Sequence, residues 1–469
     1  MLTWADYREW LGTTAVSETD PKVRAPELAE LSTDSRTIHQ DHWFVPLEGP
    51  NFDGHRYIAE AISKGARGFF YRSEKASLLP ANLRPLGLEV TDTLQAFQLA
   101  AAGWRKTLKN LRLLALTGSA GKTTTKEMLA SILRADGPTF ATLASFNNEV
   151  GVPKSLQQLT PDLRYAALEF GARMPGNIKF LCEMAAPDIV GLLNVGSAHL
   201  GVFGSIENLL ATKLEIFRNC PENAIQIANS DDPRILENAI KTGKKTLTFG
   251  TSSLADVRLL SSEWLNDGQM RIRLRLSSKG EITVVLGVAH EMFPINVAAA
   301  TAMALAAGVR AESIAAGLDG FRGIRGRYFI QKVHDLTVID DTYNANPESM
   351  AAGLKTVSRA FSGKKIILVL GDMLELGDSS AQNHQKIGQH HVATLNPSHL
   401  ITVGTEAKHL AAGARTGGLK PEQVQSFDNI DQLLTACIDF RRLGNVVYAK
   451  GSNGIKLNKL VEQIIAVNK

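Results

Sequence analysis

The chain of 469 residues is too long for one ordinary core and predicts roughly two to four domains. Its 44% hydrophobic and 21% charged residues exclude a disordered chain and fit ordinary globular packing. The net charge of +4, from 51 basic against 47 acidic residues, is too balanced for a nucleic-acid surface and leaves room for a local basic site that binds phosphates.

In chain order, the stretch Met1–Glu9 lacks the basic-then-apolar pattern of a signal peptide. No run of ~18 apolar residues predicts a membrane span. The cysteines Cys182, Cys220 and Cys437 are scattered and lack metal-ligand spacing, so reduced thiols in a cytoplasmic protein are expected. Strand patterns around Trp43–Leu47 and Gly68–Tyr71, with a helix over Tyr57–Lys64, make a first segment that ends near Val90. A helix over Thr93–Lys106 opens the second segment. It continues through a strand before Thr117 and through strands at Tyr165–Glu169 and Ile189–Val195. Arg271–Leu276 and Glu281–Leu286 alternate apolar and polar residues, which predicts an antiparallel edge pair, and an Ala-rich helix follows over Asn296–Ala307. Gly317–Arg327 holds four glycines and three arginines and reads as the second boundary. The third segment has strands at Thr337–Asp340, Lys365–Leu370, Leu400–Val403 and Val446–Ala449, with helices between them. This alternation predicts an α/β protein with largely parallel sheets. The expected domains are 1–90, a central 91–322, and a Rossmann-like 323–469, with ligand sites in the clefts between them.

The sharpest motif is Leu113–Thr125. An apolar strand enters the turn Thr117-Gly118-Ser119-Ala120-Gly121, then Lys122-Thr123-Thr124 opens a helix pattern. Such a turn aims backbone N–H groups and a helix N-terminus at one point, as a bound phosphate requires. Lys122 can neutralise terminal phosphates and the Thr123 hydroxyl can hold Mg²⁺, so use of ATP or GTP is expected. Glu169 ends one strand, and Asn194 ends the next, before Ser197-Ala198-His199. A carboxylate and an imidazole at that edge could complete the Mg²⁺ ligands. Lys213 lies three or four residues from Leu209, Leu210, Ile216 and Phe217, on the apolar face of its helix. On pattern alone a snorkelling lysine explains it; a lysine turned toward the site and chemically altered is the other reading. Asp340-Asp341-Thr342-Tyr343-Asn344-Ala345-Asn346-Pro347 reads as strand, turn and helix, with Asn346 as cap and Pro347 in the first turn. Capping leaves Asp341, Tyr343 and Asn344 for a ribose or a base. Gly371–Gly377 and Lys450-Gly451-Ser452 are further strand-end loops.

Together these segments resemble the Mur ligase family over nearly the whole chain. The phosphate loop is shortened, with only Ser119 and Ala120 between Gly118 and Gly121, like the loop that Mur ligases share with folylpolyglutamate synthetases. Thr33-Asp34-Ser35-Arg36, Phe44–Leu47 and Asp53-Gly54-His55 resemble the UDP-sugar-binding domain, which folylpolyglutamate synthetases lack. Asn147-Asn148-Glu149-Val150-Gly151 resembles the loop that meets the UDP-muramoyl substrate, and Ala211–Phe217 resembles the lysine segment. The resemblance implies that Lys213 is carbamylated and helps His199, Glu169 and Thr123 to hold two Mg²⁺ ions. It places ATP on Thr117–Thr124, Asn296, Arg327, Asp341, Tyr343 and Asn344, with Ser35, Arg36, Asn147, Asn148, Asp372 and Lys450 on the substrates. Gly371–Gly377 is similar to the segment of members that add D-alanyl-D-alanine to UDP-N-acetylmuramoyl-tripeptide. The Asp-Asn-Pro-Arg segment of the diamino-acid-adding members is absent. The family's His-Asn pair also departs here: Glu291 follows His290, and Asn296 comes about two residues late. The implied activity is ATP-dependent amide ligation through an acyl phosphate, with Lys122, Glu169, His199 and Lys213 in the chemistry. The implied protein is a monomer with small-molecule substrates. A ligase with another acceptor and a P-loop switch protein are the rival readings.

Overall fold

The computed structural model describes residues 2–16, 20–49, 51–142, 146–196, 203–265, 268–277 and 280–467. Among these, the strands form sheets of four, nine and six members and one short hairpin. The first sheet uses β1 (Leu31–Ser32), β2 (Trp43–Phe44), β5 (Gly68–Arg72) and β6 (Gly87–Val90), all parallel, in the order β1-β2-β5-β6. The hairpin is β3 (Glu48–Gly49) with β4 (Phe52–Asp53).

The central sheet has nine strands, in chain order β7 (Arg112–Thr117), β8 (Thr139–Ala141), β9 (Tyr165–Glu169), β10 (Ile189–Leu192), β11 (Ile225–Asn229), β12 (Thr246–Gly250), β13 (Val257–Trp264), β14 (Met270–Leu276) and β15 (Gly280–Leu286). Their spatial order is β15-β14-β13-β12-β11-β10-β7-β9-β8. Leu113, Leu114, Ala115 and Leu116 of β7 are buried on both faces. Parallel strands covered by helices on both sides require such a continuous apolar run. β7 lies between β9 and β10, so the carboxyl ends of three adjacent strands surround the phosphate loop. The expected antiparallel edge is present as β14–β15 and gains a third member, β13. A register shift between Leu259 and Ser261 breaks the alternation of β13. The Ala-rich helix runs over Phe293–Ala306 and starts three residues before Asn296, the expected first residue. Pro294 falls in its first turn, where a missing N–H costs nothing.

The C-terminal sheet holds β16 (Phe329–Val333), β17 (Leu336–Asp341), β18 (Ile366–Gly371), β19 (His399–Val403), β20 (Val424–Phe427) and β21 (Val446–Lys450), in the order β16-β17-β21-β18-β19-β20. Only β16 pairs antiparallel.

Neither junction between sheets is a loose linker. The helix Thr93–Thr107 buries Ala96, Phe97 and Ala100 in the first core beside Tyr7, Trp43 and Phe70. Its Ala101 packs instead in a core of the central sheet with Leu113 and Val190. Farther along, Val288, Phe293 and Val297 share one apolar cluster with Tyr328, Met350 and Leu354. The departure at Glu291 has a consequence here. Its N–H donates to Thr356 Oγ1 (3.2 Å) and its carboxylate pairs with Lys355 (3.0 Å), both on the helix Pro347–Ala360. Arg359 of that helix lies 4.7 Å over the Trp264 ring at the end of β13.

Candidate active site

The phosphate loop is shaped by its neighbours. Gly121 precedes the helix Lys122–Arg134 with φ +78°, and a Cβ there would lie 2.7 Å from Asn296 Oδ1. Both facts demand glycine. No side chain caps this helix, so its first N–H groups face the loop as an anion-binding end. Asn194 holds the loop. Its Oδ1 accepts from Ser119 N (3.0 Å) and Ala120 N (2.9 Å), and its Nδ2 donates to Ala120 O (3.0 Å). The sequence places Asn194 at a strand end and leaves it without a role; its adjacency to the loop follows from the pairing of β7 with β10. Thr117 Oγ1 donates to Phe170 O (2.8 Å), which ties the loop to the end of β9.

Two lysine side chains converge on one carbonyl. Lys122 Nζ donates to Gly118 O at 2.8 Å and Lys213 Nζ donates to the same oxygen at 3.1 Å. Burial pushes the Lys213 amine well below its ordinary range, nearby Lys122 pushes it further, and Glu169 opposes both. Lys122 is lowered by burial, with Glu169 opposing and Arg327 adding to the shift. Burial alone would raise Glu169. Lys122 and Arg327, with hydrogen bonds from Thr123 Oγ1 (2.5 Å) and Asn147 Nδ2 (2.8 Å), outweigh it and hold the carboxyl below its usual range. His199 lies outside the described residues.

The facing wall comes from the C-terminal sheet. Asp341 and Lys450 are register partners on β17 and β21, and their side chains form a buried ion pair at 2.8 Å. Tyr448 Oη also donates to Asp341 (2.8 Å), and Lys450 Nζ reaches Asn344 O (3.0 Å). The Arg327 guanidinium lies 4.4 Å over the Tyr343 ring. Burial, with Lys450 nearby, lowers His290 to about 3 and keeps it neutral.

Between the walls lies a cavity of about 690 Å³. Ser119, Ala120, Gly121, Lys122, Thr124, Asn147, Asn148, Glu169, Lys213 and Asn296 line it from one side, and Arg327, Asp341, Tyr343, Asn344 and Lys450 from the other. Thr117, Gly118 and Thr123 stand behind that lining and act through the bonds given above. Asn148 is engaged locally, with Oδ1 accepting from Gly151 N (2.8 Å) at the start of the helix Gly151–Leu156. Three expected residues lie elsewhere. Ser35 and Arg36 sit in a turn of the first domain, where Arg36 pairs with Asp34 (2.7 Å). Asp372 does not line the cavity; its carboxylate accepts Ala407 N (2.7 Å).

Residues 116–304 match the Mur ligase middle domain, and residues 326–453 match the Mur ligase glutamate ligase domain. A relative from Synechocystis sp., named UDP-N-acetylmuramoyl-tripeptide–D-alanyl-D-alanine ligase, is 32% identical over 100% of this chain and 98% of its own. The chain belongs to the Mur ligase family. A Bacillus subtilis ligase of the same name is 32% identical over 95% of each chain. The crystal structure of MurF from Acinetobacter baumannii aligns with TM-score 0.85 at 30% identity, covering 99% of this chain and 98% of that one. MurF from Thermotoga maritima in complex with ADP aligns with TM-score 0.76 at 28% identity over 93% of this chain and 98% of that one. In this Mur ligase the middle-domain match spans the phosphate loop, Glu169, Lys213 and Asn296, and the second match spans Arg327, Asp341 and Lys450.

One further cluster, Glu48, Asp53 and His55, has its oxygen and nitrogen atoms within 4.8 Å of one another. Its carboxylates are already paired with Arg72 (3.1 Å) and Lys75 (3.0 Å), which fits a structural role for the hairpin.

Proposed function

We propose that this Mur ligase joins D-alanyl-D-alanine to UDP-N-acetylmuramoyl-tripeptide, driven by ATP, and so forms the UDP-muramoyl-pentapeptide precursor of peptidoglycan. The observation that carries the ligase chemistry is the convergence of the Lys122 and Lys213 side chains on Gly118 O beside Glu169. The acceptor follows from relatives of that name that match end to end. Residues 1–90 take the UDP-sugar end, with Ser35 and Arg36 among its contacts. Residues 91–322 take ATP and 323–469 take the incoming dipeptide.

In the first step a carboxylate oxygen of the tripeptide attacks the γ-phosphorus of ATP. The bond from phosphorus to the β–γ bridging oxygen breaks, and ADP leaves. Lys122 and the orphan N–H groups of its helix spread the developing charge. In the second step the neutral amine of D-alanyl-D-alanine attacks the acyl carbon. Phosphate leaves with the electron pair of the C–O bond, and the amine proton passes to solvent. An acyl phosphate hydrolyses readily, so the two walls must exclude water while it exists.

The donor set fits Mg²⁺. The Thr123 hydroxyl and the Glu169 carboxylate are hard oxygen donors 2.5 Å apart, and His199 and Lys213 complete the set we assign to two ions. Bound there, Mg²⁺ supplies neutralisation of phosphate charge. An ammonium cannot be a metal ligand, whereas a carbamate offers oxygens. Burial favours the neutral amine of Lys213, which can attack CO₂, form an N–C bond and lose a proton to give that carbamate.

ATP and a UDP-linked donor assign the reaction to the cytoplasm, and no described helix is long and apolar enough to cross a membrane.

The test is phosphate release from ATP and Mg²⁺ by the purified chain. The expected result is release that requires both UDP-N-acetylmuramoyl-tripeptide and D-alanyl-D-alanine, with a product heavier than the donor by one dipeptide residue pair. Release without the donor, or preference for another amine, contradicts the assignment.

A further inference from the structure

The segment Gly371–Gly377 leaves β18 and carries Leu374 and Glu375 to the cavity wall. Its end is held locally, where Ser379 Oγ donates to Leu376 O (2.7 Å). Glu375 sits at φ +65°, a left-handed conformation that a non-glycine residue keeps only where its surroundings impose it. Leu374 is 42% exposed although it is apolar. Hydrogen bonds to residues farther along the chain hold its start. Leu374 N donates to Ser452 Oγ (2.9 Å), and Ser452 N donates back to Asp372 O (2.9 Å). Met373, whose side chain is fully buried, donates its N–H to His384 Nε2 at 2.9 Å.

His384 is built for that bond. It lies on the helix Ser380–Ile387 and its ring is fully buried. Its Nδ1 is 2.9 Å from Ser380 O, a carbonyl that can only accept, so Nδ1 carries the proton and Nε2 offers a lone pair. Burial lowers its pKa, in keeping with a neutral ring. The helix is itself fixed, because Gly388 at its end meets the Leu410 carbonyl so closely that a Cβ would collide. The helix that carries Leu410, Ala407–Thr416, begins at the Asp372 carboxylate through Ala407 N. Consecutive residues, Asp372 and Met373, thus tie the segment to two helices that pack on one another.

We propose that His384 is a positioning residue for the acceptor: its Nε2 lone pair holds Met373 N–H and so sets the Leu374–Glu375 wall against which the incoming dipeptide is held. This rests on the reading that the C-terminal domain takes D-alanyl-D-alanine. The role is indirect, since His384 touches the wall through backbone and never the cavity. A histidine that merely filled the core would be replaceable by any side chain of similar volume. A histidine that acts through its lone pair is replaceable only by another acceptor at the same place.

The test is steady-state phosphate release by wild type, His384→Leu and His384→Gln, with each of the three substrates varied in turn. Leucine fills the space without an acceptor, and glutamine returns an oxygen near the position of Nε2. The expected result for His384→Leu is a rise of about tenfold in KM for D-alanyl-D-alanine, the scale of one buried hydrogen bond. Its KM values for ATP and for the UDP-linked donor stay within about twofold of wild type. His384→Gln recovers most of the dipeptide KM. An unchanged dipeptide KM in His384→Leu, an equal rise in all three KM values, or a glutamine variant no better than leucine overturns the proposal. If His384→Leu loses its cooperative melting transition, His384→Met carries the same test, because methionine keeps a similar volume and its sulfur is only a weak acceptor. Wild type that ligates normally while the KM values fail to split sinks the role of His384 alone. Wild type that does not ligate D-alanyl-D-alanine sinks the functional reading beneath it.

Discussion

The two walls of the cleft hold lysines in opposite conditions. On the central wall Lys122 and Lys213 rest on Gly118 O, and neither forms an ion pair with a carboxylate among the described residues. On the C-terminal wall Lys450 is closed into a buried pair with Asp341, which Tyr448 also serves. The first arrangement leaves Lys122 without a carboxylate ion pair among the described residues, open to an arriving anion. The second is satisfied internally, and breaking a buried pair is strongly unfavourable. The two walls therefore present their lysines differently: Lys450 is paired with Asp341, whereas Lys122 and Lys213 rest on a carbonyl.

The largest effect should come from the lysines of the central wall. Lys122→Ala is expected to lower kcat about a thousandfold or more, because a preorganised charge on the transferring phosphoryl group is lost. Near-normal turnover would remove the central wall from the chemistry. Lys213→Ala should cost about a hundredfold, and wild-type activity should rise with added bicarbonate if the carbamate is the working form. Activity indifferent to both changes would return Lys213 to a buried structural lysine.

Asp341→Asn sharpens the contrast from the other side. It leaves Lys450 buried without its counter-charge and should destabilise the protein by about 3 kcal/mol in urea unfolding. A stable variant with tighter ATP binding would mean that Lys450 serves phosphate after all. Asn194→Ala removes the brace of the phosphate loop. It should raise the KM for ATP about tenfold with a stability loss of about 1–2 kcal/mol; an unchanged KM would show that the loop holds its shape unaided.

A further effect is a pH dependence. His290 has a folded pKa of about 3 against an ordinary value of 6.5. Between those values the unfolded chain binds a proton that the folded chain refuses, so stability rises with pH and is lost as pH falls across this window. One such group contributes a slope of at most about 1.4 kcal/mol per pH unit. His290→Leu should flatten the difference in urea midpoints between pH 6.5 and pH 4; an unchanged slope would assign the acid loss to other groups.

What the sequence made legible was local. Gly118 to Thr123 dictate a turn and a helix start by their own chemistry, and the spacing of Leu209, Leu210, Ile216 and Phe217 places Lys213 inward, where it is 2% exposed. Asn346 caps the helix Pro347–Ala360 as its sequence predicts, accepting Ser349 N at 2.8 Å. What it hid was long-range. Asp372 is engaged by an N–H 35 residues away, so a strand-end acid that looks free for a substrate is a helix cap. Asn194 meets the phosphate loop only because β10 pairs with β7. The helix Thr93–Thr107 divides its faces between two cores, which a single boundary near Val90 could not express. The bulged strand β13, with exposed Ser261, Ser262 and Glu263, lost the alternation that would have revealed it.

The most direct test of the central claim is an isotope transfer. The donor tripeptide would carry oxygen-18 in its terminal carboxylate, and the phosphate released during ligation would be weighed. Attack of that carboxylate on ATP at the central wall predicts one oxygen-18 atom in every phosphate formed. Phosphate without the label would mean that the carboxylate never bonds to phosphorus and would contradict the account.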